Sequence, residues 1–199
     1  MAVFPNKKEY RGYMNPFWIE PVKRDVMGYR LTNVAAGDVV PMGTPIKTDE
    51  AAKTAEICKY AVVEAVAADK KTLTVREGHF IKAGDKVAIS GGQTLTELTV
   101  ASVSGDKTIV LSAANNSIKA GDVLVEVVTA NSTTSVKALP NRIVSSEAEI
   151  TELNQTCAAA HDGIVLLNVV NYPEEYLNKT TFPGSIYLVG CGKLMFTIQ

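Results

Sequence analysis

Histidine, cysteine and net charge are all scarce in this chain of 199 residues. It has two histidines, three cysteines and one tryptophan, and 20 Lys+Arg against 21 Asp+Glu leave a formal net charge of -1. So even a balance implies no strongly basic face, which excludes nucleic acid as a partner class. No run of about 18 apolar residues is present, so no membrane-spanning helix is expected. The first residues, "MAVFPNKKEYRGYMNPFW", lack the apolar core of a secretory signal, and folding in a cytoplasm is expected. Cys58, Cys157 and Cys191 are far apart, odd in number and without a CxxC pair. They read as buried free thiols, with neither disulfide nor metal roles. Phosphate and nucleophile signatures are missing as well: no GxxxxGK[ST], GxGxxG or GxSxG occurs. "SGG" at 90–92 and "GTP" at 43–45 are turns. No cofactor and no metal are expected, and no enzyme signature emerges. With hydrophobic residues at 46% and charged residues at 21%, the chain has an ordinary globular composition, enough for one large domain or two small ones.

Proline is unevenly spread, and its distribution divides the chain. Five of the eight prolines lie in residues 1–50, together with six of the thirteen aromatics: Phe4, Tyr10, Tyr13, Phe17, Trp18 and Tyr29. Repeated proline opposes long helices. Residues 1–50 therefore read as an irregular arm or base, slightly basic over its first thirty residues. Its six aromatics either pack on the protein's own core or serve as partner-docking anchors. Residues 52–130 contain no proline at all. Ala55–Asp69 is ambiguous between helix and strand, since its alanines favour helix while Cys58, Tyr60 and Val62 alternate at strand period. From Thr72 onward, short β-branched runs alternate with turn residues, predicting an antiparallel, barrel-like β domain over 51–130.

Within that domain one phrase recurs. "DKKTLTVREGHFIKAGDKVAI" starts at Asp69 and "DKTIVLSAANNSIKAGDVLVEV" at Asp106, with a shorter echo, "NVAAGDVV", at Asn33. Glycine permits positive φ and aspartate bonds nearby amides, so Gly37–Asp38, Gly84–Asp85 and Gly121–Asp122 are predicted turns that launch strands. The two long copies read as a β-unit used twice. Calcium binding by these aspartates is disfavoured, because a single carboxylate after glycine supplies too few of the six to eight oxygens required.

The connector "TANSTTSVKALPN" leads to a third region, 138–199, expected to be a small α+β module. "SSEAEITELNQTCAAAHDG" predicts a helix, with Ser146 and Glu149 as a capping box, Ile150, Leu153, Cys157 and His161 on one face, and Gly163 ending it. A strand over Ile164–Val170, a helical turn at Glu174 and Glu175, and two closing strands follow. The fold class is thus mainly β. His79 falls in a loop. Cys157 and His161 at i, i+4 are a weak candidate pair for nucleophilic catalysis; a packed thiol and a capping histidine are the simpler account. Tyr172, Tyr176, Phe182 and Tyr187 keep a carbohydrate-binding role open for the last region.

The stretches "AGDVVPMGTPI" (Ala36–Ile46), "CKYAVV" (Cys58–Val63), "GHFIKAGDKV" (Gly78–Val87) and "AAAHDGIVLLN" (Ala158–Asn168) give the chain its resemblance to tailed-phage head fibre and capsid decoration proteins, of the kind found in Bacteroides-type phages and prophages. The resemblance implies a non-enzymatic structural virion protein on the capsid exterior. It further implies the major capsid protein as partner and self-association as a homotrimer or homodimer. It carries no active site.

Overall fold

The computed structural model describes residues 16–25, 28–182 and 185–197; the side chains of 17–24 and 180–182 are outside the description. The protein is mainly β with little helix, and it contains a closed six-stranded antiparallel barrel. The early candidate anchors Phe4, Tyr10 and Tyr13 lie outside the described residues, as do the side chains of Phe17 and Trp18.

The barrel is built from β6 (Tyr60–Val66), β7 (Thr72–Val75), β8 (Lys86–Ile89), β9 (Leu98–Ser104), β10 (Thr108–Leu111) and β11 (Val123–Ala130). Their order is β11-β6-β7-β10-β9-β8, closed by pairing of β8 with β11. A further strand, β12 (Thr133–Val136), extends β11 as a hairpin. The ambiguous stretch before Asp69 is therefore strand, because alternate residues Ala61 and Val63 reach the barrel interior.

The repeated phrase acts as a two-fold. Across β7–β10 the partners are Thr108↔Thr74, Ile109↔Leu73 and Val110↔Thr72. Across β8–β11 they are Leu124↔Ile89, Val125↔Ala88 and Glu126↔Val87. Each ladder is centred on equivalent residues of the two copies. Interior residues come in matching pairs: Val63 with Val100, Leu73 with Ile109, Val75 with Leu111, Ile81 with Ile118, and Val87 with Leu124.

All three Ala-Gly-Asp phrases make the same turn. The glycines have φ of +95° at Gly37, +88° at Gly84 and +92° at Gly121. The aspartate carboxylate accepts from the amide three residues earlier: Ala35 at 2.7 Å, Lys82 at 2.8 Å and Lys119 at 2.9 Å. Each turn also exchanges two backbone bonds with one residue of a neighbouring segment. Gly84 N–H donates to Val100 and Val100 N–H to Asp85; Val63 and Ile150 play the same part for the other two copies.

The second body is a ten-stranded sheet drawn from both ends of the chain. Its members are β1 (Phe17–Arg24), β2 (Tyr29–Leu31), β4 (Pro45–Asp49), β5 (Thr54–Ile57), β13 (Arg142–Val144), β15 (Thr156–Cys157), β16 (Ala159–Leu166), β17 (Leu177–Phe182), β18 (Ser185–Leu188) and β19 (Cys191–Thr197). A two-stranded pair, β3 (Val39–Val40) with β14 (Ala148–Glu149), sits beside it. β16 lies between β1 on one side and β13 followed by β19 on the other.

The helix predicted from Ser146 to His161 is replaced by β14, a turn, β15 and the start of β16. Local polar bonds decide this: Asn154 N–H donates to Thr151 Oγ1, and Asn154 Oδ1 accepts from both the amide and hydroxyl of Thr156. Such side-chain bonds compete with helix formation. Leu153, expected on the buried face, is fully exposed. Gly163 lies inside β16, and the run after it ends in a one-turn helix, α1 (Leu167–Val170), rather than continuing as strand.

Candidate functional site

Two sets of contacts hold barrel and sheet together. The first is aromatic: Tyr60 packs edge-on against Tyr172 and Tyr176, and Tyr172 against Phe196. The hydroxyls then cross the junction. Tyr60 donates to Val170 O at 2.7 Å and Tyr176 to Lys59 O at 3.2 Å. Burial pushes all three tyrosines well above the usual phenol range. The second set joins the barrel rim to the 3₁₀ turn Glu174–Tyr176. Glu175 accepts from Ser90 Oγ at 2.5 Å and from Gly91 N–H at 2.9 Å, while Glu174 N–H donates to Ser90 Oγ.

Beneath the junction runs a chain of alternating charge. Lys59, only 7% exposed, donates to Asp85 at 2.7 Å and lies 3.2 Å from Glu126, which also holds Lys137 at 2.8 Å. The Glu126 hydrogen bond raises the Lys137 ammonium above its ordinary value. Asp85 thus does double duty, closing a turn and neutralising a buried lysine. The lone lysine inside the apolar run "CKYAVV" is the sequence signal for this network.

Between the two bodies lies a cleft of about 560 Å³. Its floor is apolar, formed by Met42, Ile57, Cys58, Ala61 and Val170, and its rim carries Glu64, Arg76, Glu77, Lys107 and Asn168. Lys107 and Glu77 pair at 2.8 Å. Arg76 donates to Val169 O. No carboxylate among the described residues pairs with Arg76, and no cation with Glu64. The cleft forms because β7 stops at Val75 and "REGHF" swings away from β6; only Gly78, with φ of +84°, hints at this in sequence.

His79 stands between this cleft and a smaller cavity of about 200 Å³ beside Asp38 and Asp106. Both of its ring nitrogens are buried without a hydrogen-bond partner. Burial lowers its pKa below the ordinary imidazole value, opposed by Asp106.

Cys157 and His161 do not form a dyad. Cys157 is buried in the cluster around Tyr29 and Ile46, and burial pushes its thiol up to about 12. His161 instead lies 3.4 Å from Asp25. Without a neighbouring base or cation the thiol has no route to thiolate. Cys58 is likewise buried, Cys191 is partly exposed, and all three are free. Tyr29 is a core residue of β2 rather than an exposed anchor. It is 1% exposed and donates to Glu50, which it helps hold below the usual carboxylate range. Tyr172 and Tyr176 are also buried, so they offer no sugar-stacking platform; Tyr187 is half-buried. Among the described residues no group of three or more His, Cys, Asp or Glu is placed to hold a metal, and no helix is long and apolar enough to cross a membrane.

Comparisons with protein-family models, curated proteins and solved structures return no match.

Proposed function

We propose that the protein is a non-enzymatic structural component of a phage virion, bound to the capsid exterior as a head fibre or decoration protein. The observation that carries this reading is the rigid junction. Tyrosine hydroxyls and the Ser90–Glu175 clamp tie barrel to sheet at several independent points. A stiff two-body β spacer is what a surface-mounted particle protein requires. The stretches that resemble capsid decoration proteins are also the ones that build turns and strands of this scaffold. On this reading the major capsid protein is the partner, the arm preceding Pro16 supplies docking aromatics, and the protein associates as a homotrimer or homodimer. Many copies on one shell then bind tightly by multivalency even where each contact is weak.

The test is co-sedimentation of the purified chain with capsids of a Bacteroides-type phage stripped of surface proteins, alongside light scattering for solution mass. Saturable binding at a fixed copy number per capsid is expected, together with an oligomer. Absence of binding to capsids in a protein that is monomeric at all concentrations would overturn the reading.

A further inference from the structure

The walls of the cleft contain main chain that has no strand to pair with among the described residues. In β6, Lys59 O accepts from Glu126 N–H and Val63 N–H donates to Asp122 O, so the odd-numbered residues face β11. Tyr60 and Val62 therefore point their amides and carbonyls the other way, into the cleft. There β7 covers them only from Val63 onward, apart from the bond of Arg76 N–H to Val62 O. The Val62 N–H and both main-chain groups of Tyr60 have no strand partner on that side among the described residues. His79, which also lines the cleft, has two buried ring nitrogens without a hydrogen-bond partner. An unpaired stretch of strand edge along an apolar-floored cleft points to an occupant that supplies main-chain donors and acceptors.

We infer that the cleft is a β-augmentation site, taking a short extended segment of another polypeptide. The segment lies beside Tyr60 and the Val62 N–H, in the lane left open beyond Arg76. Its main chain completes the open edge, and one apolar side chain enters the floor between Met42 and Ile57. The unpaired charges at the rim define its flanks: an acidic residue towards Arg76 and a basic residue towards Glu64. The cleft volume, about 560 Å³, falls inside the range of about 300–1,000 Å³ typical of ligand sites. Main-chain bonds supply affinity in this mode and the side-chain pocket supplies selectivity.

The test uses the full chain and a phage-displayed library of random linear dodecamers. Selected peptides are resynthesised with a fluorescent label and titrated by anisotropy. Val62→Pro removes the cleft-facing N–H while sparing the bonds to β11, and it is expected to weaken binding at least tenfold. Val128→Ser, on an exposed barrel position away from the cleft, should leave binding unchanged. Hydrogen exchange of the wild-type chain with bound peptide gives a readout free of substitution, with new protection expected at residues 59–63 and 76–80. The inference fails if no peptide is enriched, if a folded Val62→Pro protein binds as tightly as wild type, or if protection appears elsewhere. Protection at this edge on concentrating the protein alone would overturn it in favour of a second copy as occupant.

Discussion

His79 shows what one side chain can impose. It is held neutral by burial, with both nitrogens unpartnered, and its pKa is lowered in the folded chain. The unfolded chain, with an ordinary imidazole pKa of about 6.5, binds the proton more readily than the folded one. Stability is therefore complete above about pH 6.5 and falls as pH drops below it towards the lower folded value. Thermal melts between pH 7.5 and 5 should show this loss, and His79→Gln should flatten it. An unchanged pH profile in the variant would assign the loss to other groups. Asp69 is shifted in the same direction for a different reason: bonds from the Thr72 and Lys71 amides favour its charged form and hold it at about 2, so it titrates outside this window.

At the scale of elements, the twice-used β-unit is legible in the amino-acid order alone, because its turns are written in glycine and aspartate and its strands in alternating β-branched residues. The exception lies between 146 and 161. There the apolar spacing at Ile150, Leu153, Cys157 and His161 matches a helix, but Thr151, Asn154 and Thr156 bond one another locally and β16 has neighbours on both sides. Helical periodicity is a local signal, whereas sheet pairing joins residues more than a hundred positions apart, as between Phe17 and Val165. The cleft is hidden in the sequence for the same reason, since it is lined from six separate stretches of chain. The unit also predicts its own equivalence. An added Cβ at Gly84 or Gly121 meets nothing within 4 Å, so substitution costs only backbone strain at positive φ. Gly84→Ala and Gly121→Ala should each destabilise by about 1–2 kcal/mol, measured by urea unfolding. Costs that differ by more than about 1 kcal/mol would show that the two turns are not energetically equivalent.

For the whole molecule, the junction predicts cooperative behaviour. Near-UV circular dichroism reports chiefly on the packed tyrosines between barrel and sheet, and far-UV on strands throughout. The two signals should fall together on heating, because breaking the junction removes the partners of Glu175 and the packed tyrosines at once. Replacing Glu175 by Ala should lower the melting temperature and separate the two curves. Coincident curves in that variant would place the coupling in the aromatic cluster alone.

The matching ladders of the barrel carry a last consequence. Wherever one copy of the repeated unit meets the other, it does so across an axis that exchanges them: Leu73 with Ile109 at one seam, Ala88 with Val125 at the other. That is the contact pattern of an isologous homodimer. The barrel has the geometry of two similar subunits joined into a single chain, and the five residues Ile-Lys-Ala-Gly-Asp at the turn are the longest run that both copies still spell alike.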